Sequence, residues 1–336
     1  MLPSVSFIIV GRNCASVLSC CMLPIIQQDY PKDLCEILFI DGDSIDNTKD
    51  IAQSFGAKVI DGGYPENCEA RRFVGVQAAC NDLLVFIDTD NIIPHKNWLD
   101  QMVQPFIQYS DLVGAFTKWY GFDNTTSSLD QYYALIGGND PVVFYLGKND
   151  RVPYLEKSLP CGAQLINAHD NFELVAFNNS ACLPVVGCNG FLLRRSVIND
   201  LKYDRHEQYF HIDINVDIID QLQRHLYAIV NTTIIHLTGD TVLKNIRKRL
   251  NYMNVHYVAL QHERRYKVFD VQNSKDMLNL ILCIIYAVTF IEPLLRSYKG
   301  WRRTGNFNWF YHPIMTFLLT GAYGVNVMLQ RIKECK

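Results

Sequence analysis

Metal-binding cysteine spacing is missing from this chain. Its eleven cysteines are scattered, none forms a Cys-x-x-Cys pair, and none sits with histidine at zinc-site spacing. Such a set is expected to remain as reduced thiols. An excess of positive charge is missing too. The formal net charge is -3, so no basic field favours nucleic acid and no nucleic-acid partner is expected. No basic n-region precedes the first apolar run, as a secretory signal would require, so the first domain is expected to stay in the cytoplasm. There is no internal repeat and no low-complexity tract. A Gly-rich, Lys-containing loop is also absent after the first apolar run, where Gly11-Arg12-Asn13 stands. That removes the signature of a nucleotidyltransferase, one alternative on an α/β sheet.

What is present is a globular composition shifted toward the apolar side. The 336 residues are 49% hydrophobic and 19% charged, enough for one large domain with an appendage, or for two domains. Val5 to Val10, Glu36 to Asp41, Ala57 to Ile60, Leu83 to Asp88 and Leu112 to Phe116 are short apolar runs that suit buried strands. Between them lie helical patterns. Leu18, Cys21, Met22, Ile25 and Ile26 share one helix face, with Pro24 predicting a kink or a late start. Asp46 to Phe55 reads as a helix that Gly56 can cap, and Cys68 to Ala79 as another. This alternation implies an α/β fold with a mostly parallel sheet flanked by helices. In such sheets ligands sit beyond the carboxyl ends of the strands. Asp41-Gly42-Asp43 and Asp88-Thr89-Asp90 both fall there.

Residues i and i+2 of an extended segment face the same side, so Asp88 and Asp90 are expected to place two carboxylates in one site. Two such charges repel unless a cation lies between or beside them. Hard oxygen ligands supplied by few protein groups suit Mg²⁺ or Mn²⁺ shared with a phosphate. The competing account of these acids is a loop that caps the next helix.

Taken together, the motifs resemble the family 2 glycosyltransferases of GT-A fold. VSFIIVGRN from Val5 to Asn13 is similar to that family's opening strand and turn, and QQDYPKDLCEILFIDGDSIDNT from Gln27 to Thr48 to its most recognisable segment. Glu69-Ala70-Arg71, FIDTDN from Phe86 to Asn91 with Trp98-Leu99 after it, and GCNGFLLRR from Gly187 to Arg195 extend the likeness over about 240 residues. The resemblance implies a nucleotide-sugar site that includes Val10, Asn13, Asp41, Asp43, Arg71, Asp88 and Thr89. Asp41 would face the nucleobase or ribose, and Arg71 the diphosphate. Metal ligands would be Asp88, Asp90 and His236, with Mn²⁺ or Mg²⁺ as cofactor. Asn189 and Gly190 would lie on the acceptor side. Asp46 is either a helix N-cap or a nucleotide contact. The sequence departs from the family at Gly42, where a second acid is common, and at Val10 and Arg12.

An inverting transfer needs a carboxylate to take the proton of the attacking hydroxyl. The family carries it in an acidic motif ahead of a helix, which HIDINVDIIDQL from His211 to Leu222 resembles. Asp213 is the candidate base. Asp217 is the alternative and an acceptor-side candidate, and with Asp220 it also fits one polar helix face.

The carboxyl-terminal part differs in character. Met277 to Ile291 and Ile314 to Leu329 are apolar but borderline against the roughly 20 residues a span requires. Arg264, Arg265 and Lys267 before them, Arg296, Lys299, Arg302 and Arg303 between them, and Arg331 and Lys333 after them are basic. Putting all three flanks on the cytoplasmic side excludes two ordinary spans and favours interfacial or re-entrant helices. Trp301, Trp309, Phe310 and Tyr311 suit the headgroup level. Lys244, Arg247, Lys248 and Arg249 would contact diphosphate or anionic lipid, or form a solvated face. The expected organisation is a catalytic domain over 1–265, with nucleotide binding over about 1–118 and the acceptor side over about 119–240. A membrane-association segment over 266–336 would follow. The function expected is transfer of a sugar from a UDP- or GDP-linked donor to a glycan or lipid-linked acceptor at the cytoplasmic face of a membrane. The non-enzymatic alternative is a membrane-anchored scaffold with a degenerate fold. Relatives that add sugars processively carry Gln-x-x-Arg-Trp, which is absent here and favours single addition.

Overall fold

The computed structural model describes residues 1–156, 159–201, 203, 209–260 and 262–334. In chain order the elements are β1 (Val5–Gly11), α1 (Ala15–Ile26), β2 (Cys35–Asp41), α2 (Thr48–Ser54), β3 (Lys58–Asp61), α3 (Cys68–Ala78), β4 (Leu83–Asp88), β5 (Asn91–Ile92), α4 (Trp98–Gln108) and β6 (Gly114–Gly121). They continue with α5 (Ser128–Ile136), α6 (Pro141–Tyr145), β7 (Ala163–Ala168), β8 (Phe172–Phe177), β9 (Phe191–Arg194), α7 (Arg195–Asp200), α8 (Asp213–Leu222) and β10 (Leu226–His236). The last helices are α9 (Val242–Tyr252), α10 (Ser274–Thr289), α11 (Ile291–Thr304) and α12 (Tyr311–Glu334). The chain forms two compact units: residues 1–121 with 162–237, and residues 122–161 with 238–336. Compactness thus groups the chain differently from a linear division at residue 265.

The first unit holds a sheet in the order β3-β2-β1-β4-β9-β6-β10-β8-β7, with β5 paired to β10. Parallel pairing joins β3, β2, β1 and β4, and also β6 with β10. Of these, β1, β4 and the carboxyl half of β2 are buried on both faces, as a helix-covered parallel sheet demands, whereas β3 is a partly exposed edge strand. The rest of the sheet is antiparallel, through β9, β8, β7 and β5. A hairpin makes the β7–β8 pair, and such a connection needs no crossover helix. The sheet is therefore mixed rather than mostly parallel. Helix α1 begins at Ala15 and runs through Pro24, so the expected late start does not occur. Pro24 lies in its last turn, where it forgoes the helical bond to the Cys20 carbonyl for want of an N–H. Gly56 has φ +80°, the left-handed conformation that ends a helix without a Cβ penalty.

The second unit has its own core, with Leu129, Tyr132, Leu135 and Ile136 of α5 packed with Val142 and Phe144 of α6, Cys283 of α10, and Met315 and Leu319 of α12. Trp309 belongs to that core, with no exposed surface. A Cβ at position 300 would fall within 2.6 Å of the indole, so only Gly300 admits the ring. Trp309 is thus a packing residue, not one available to a headgroup layer. Helices α10 and α11 meet at Phe290, which has φ +59°, and are bent by 82°. Among the described residues no single helix is long and apolar enough to cross a membrane, though this bent pair passes that test jointly.

Candidate active site

Strand direction brings the candidate residues to one edge. In the parallel block Gly11 pairs with Asp41 and Val10 with Asp88, so the last residues of β1, β2 and β4 are neighbours. Strand β9 runs antiparallel to both β4 and β6, and β6 is parallel to β10. The carboxyl end of β10, with His236, therefore lies on the same edge as Asp88. The start of β9, preceded by Asn189 and Gly190, lies there too.

Asp88 closes β4, and the chain turns immediately after it. Asp90 is consequently on a turn rather than on an extended strand. Asn91 shapes this turn: its Oδ1 accepts from the Asp88 amide at 3.0 Å, and its Nδ2 donates to Asp90 Oδ1 at 3.3 Å. The other oxygen of Asp90 faces His236 Nε2 at 3.3 Å, and the Leu237 amide donates to the Asp90 carbonyl at 2.8 Å. Tyr120 leans on His236 with ring centroids 5.6 Å apart, and its hydroxyl accepts from Asn189 Nδ2 at 2.9 Å. Asp90, His236 and Asn189 are thus joined through Tyr120. Asn189 and Gly190 both have positive φ, at +57° and +77°, and a Cβ at 190 would lie 2.6 Å from Ile234 Cδ1. The glycine lets this loop close onto β10.

The loop after β2 is organised by Asp41. Its Oδ2 accepts from the Ser44 amide at 2.9 Å, while Oδ1 is buried with no hydrogen-bond partner among the described residues. An orphaned buried carboxylate oxygen is costly unless a ligand supplies its donor. Asn13 ties the two loops: its amide donates to Ser44 Oγ, and its Oδ1 accepts from the Ile45 amide, both at 2.9 Å. Asp43 is exposed, with φ +60°. Asp46 receives the Thr48 hydroxyl at 2.5 Å and the Thr48 and Ala15 amides, a capping role at the start of α2. That Thr48 hydrogen bond holds its carboxyl below the usual range. Thr89 is half-buried in the turn after β4.

Arg71 lies beside this loop. Its Nη1 donates to the carbonyls of Tyr64 at 2.6 Å and Pro65 at 2.9 Å, and its Nε is buried with no hydrogen-bond partner among the described residues. A Cβ on residue 42 would lie 2.6 Å from Arg71 Nη1, so Gly42 is what admits the guanidinium. The arginine that reaches Asp88 is Arg72, whose Nη2 donates to Asp88 Oδ1 at 2.6 Å. Arg72 Nη1 donates to Glu69 Oε1 at 2.8 Å. Glu69 in turn meets His211 Nδ1 at 2.6 Å and the His211 amide at 2.9 Å. Burial alone would push the Glu69 carboxyl up, but His211 and Arg72 hold it well below the usual carboxylate range. Arg72 is not singled out by the sequence, and Glu69 and His211 enter there only as members of motifs, with no role of their own. The legible signal was the i, i+3 spacing of Glu69 and Arg72 on one helix face.

Asp213 is the first residue of α8 and is fully buried. A carboxylate there is favoured by the amino-terminal end of the helix dipole. Asp217 is occupied by Tyr203, whose hydroxyl donates at 2.5 Å, and by Gln221 Nε2 at 3.1 Å. Among the described residues no three His, Cys, Asp or Glu side chains are arranged to hold a metal ion. Asp88, Asp90 and His236 are partly exposed, with 27%, 32% and 16% of their side-chain surfaces open.

An α/β sheet with acids at the carboxyl ends of its strands is a frame that takes ligands at that edge, and comparison with known proteins gives the family. Residues 6–179 match the family model for Glycosyl transferase family 2. The chain belongs to that family and has the GT-A fold. It is 30% identical over 137 residues to glycosyltransferase AglE of Haloferax volcanii, which covers 39% of this chain and 44% of that protein. The chain thus aligns with under half the length of that curated relative. Among solved structures it is similar to mannosyltransferase PcManGT from Pyrobaculum calidifontis, in complex with GDP-Man and Mn²⁺. There the TM-score is 0.51 at 12% identity, covering 95% of this chain and 87% of the other. It is also similar to glucosyl-3-phosphoglycerate synthase from Mycobacterium tuberculosis, with TM-score 0.47, 18% identity, and coverage of 79% and 81%.

Proposed function

We propose that this glycosyltransferase moves a sugar, with inversion, from a UDP- or GDP-linked donor to a lipid-linked or surface-glycan acceptor, using Mn²⁺ or Mg²⁺. The observation that carries the reading is the convergence of Asp41, Asp88, Asp90 and His236 at one sheet edge. The residues fit a hard divalent cation shared with phosphate. Arg72 takes one oxygen of Asp88, which leaves the other, and Asp90 and His236 already face each other. With so few protein ligands, diphosphate oxygens would complete the coordination shell. When bound, the cation would offset charge developing on the leaving diphosphate. Asp41 Oδ1 would accept from the nucleobase or ribose, and Arg71 would approach the diphosphate.

Asp213 would accept the proton of the acceptor hydroxyl as it attacks the anomeric carbon. Asp213 is closed off in this state, so turnover requires opening at the start of α8. Asp217, held by Tyr203 and Gln221, would keep α8 in place instead of acting on substrate.

The outward apolar residues Leu278, Ile281, Ile285 and Val288 of α10, with Leu294 and Leu295 of α11, support docking of the second unit on a membrane. Lys299, Arg302 and Arg303 on α11 would meet anionic headgroups at its cytoplasmic face. The test of the enzymatic reading is turnover of one nucleotide-sugar by purified protein, dependent on the divalent cation and lost on chelation. No turnover together with no metal-dependent nucleotide binding would favour the scaffold.

A further inference from the structure

We infer that Glu69 is a positioning residue that ties donor-side Asp88 to the segment carrying Asp213. The inference rests on the glycosyltransferase reading. One guanidinium spans two carboxylates: Arg72 Nη1 is on Glu69 Oε1 at 2.8 Å, and its Nη2 is on Asp88 Oδ1 at 2.6 Å. At the other side, both oxygens of Glu69 are committed to His211, Oε1 to the imidazole at 2.6 Å and Oε2 to the amide at 2.9 Å. A two-point hold on a side chain and its own amide fixes the backbone, not only the ring. His211 stands two residues before Asp213.

The surroundings reinforce the hold. The His211 carbonyl packs where a Cβ of residue 187 would collide, and Gly187 has φ +145°. Asn215 Nδ2 donates to the carbonyls of Val186 at 3.1 Å and His211 at 3.4 Å. The glycine loop that leads to Asn189 is therefore braced against the same backbone. Glu69 and Arg72 are buried, with 9% and 7% of their side-chain surfaces open. A buried charge is retained only when paired, so an alternating row of charges in low dielectric resists partial rearrangement. Moving Asp88 displaces Arg72, which unbalances Glu69, which loosens His211. Donor seating at Asp88 and placement of Asp213 are thereby made one event. Neither Glu69 nor His211 touches Asp88 or Asp90, so both act through Arg72.

The test uses the full chain with UDP and GDP as probes, titrated calorimetrically with and without Mn²⁺. Glu69→Gln and His211→Asn are each expected to weaken Mn²⁺-dependent nucleotide binding by about tenfold, and the double variant no further than Glu69→Gln alone, because both break one connection. Conservative Arg72→Lys should retain charge but lose the double reach, and behave like Glu69→Gln. Losses that multiply in the double variant, or folded variants that bind as the wild type does with only a lowered melting point, would overturn the inference. Should Glu69→Gln fail to fold, the His211→Asn titration decides alone, since that side chain is half-buried. A wild-type protein that binds no nucleotide with metal would instead sink the glycosyltransferase reading, which separates the two failures.

Discussion

His236 Nε2 lies 3.3 Å from Asp90 Oδ2, joining the last residue of β10 to the turn after β4. The pairing of His236 with Asn91 in the sheet fixes that approach from the backbone as well. On the proposed reading, an imidazole held this way would serve as an additional ligand or as a brace for the aspartate. His236→Ala is expected to weaken Mn²⁺ affinity by about 10- to 100-fold while the melting point changes little. Metal titration followed by nucleotide binding checks it.

Asp213 and Asp217 stand one helical turn apart on α8 and should behave differently. Asp213→Asn is expected to lower turnover by about 10²- to 10⁴-fold with donor binding intact. Asp217→Asn weakens the acceptor for Tyr203 and Gln221, and is expected to cost about 1–3 kcal/mol of stability while folded protein stays active. Parallel kinetics and denaturant unfolding of the two variants separate the roles. Turnover kept in Asp213→Asn would remove it from the chemistry.

Glu69 makes stability depend on acid. Its folded pKa is depressed below that of the unfolded chain, about 4.3 for glutamate. The contribution is complete above the unfolded value and is lost as the pH falls from there toward the folded one. Wild type should therefore lose stability between about pH 5 and about pH 3 more steeply than Glu69→Gln. Urea midpoints across that range measure the difference. Equal slopes would mean that the Glu69 charge is not held as the structure has it.

Ile285 and Leu295 are about half exposed on α10 and α11, at 48% and 55%. Charged substitutions there leave the fully buried core of the second unit untouched but remove exposed apolar surface. Ile285→Glu with Leu295→Glu is expected to reduce co-sedimentation with vesicles containing anionic lipid by about fivefold or more, without changing the melting point. Unaltered binding would remove this face from the membrane contact.

Much of the first unit was legible. Apolar runs ending in Asp41 and Asp88 announce parallel strands whose ends form a site, because burial on both faces leaves no alternation to misread. The acids at those ends follow from chain direction alone. Pairing of β7, β8 and β9 was not legible, since their partners are set by tertiary packing and no local period names them. Arg71 and Arg72 show the same limit at the scale of a side chain. Adjacent helical residues point about 100° apart, so one faces Gly42 and the other Asp88, and only the helix phase decides which. Trp309 has the character of an interfacial aromatic, but Gly300 makes room for it in the core.

The most direct test of metal-dependent sugar transfer is turnover of UDP-, GDP- and dTDP-sugars by purified wild type and Asp90→Ala, each with Mn²⁺ and with chelator. The account predicts that one donor is consumed by wild type only with the cation, and that Asp90→Ala loses about two orders of magnitude or more in rate. Wild-type rates in chelator, or an Asp90→Ala enzyme as fast as wild type, would contradict it.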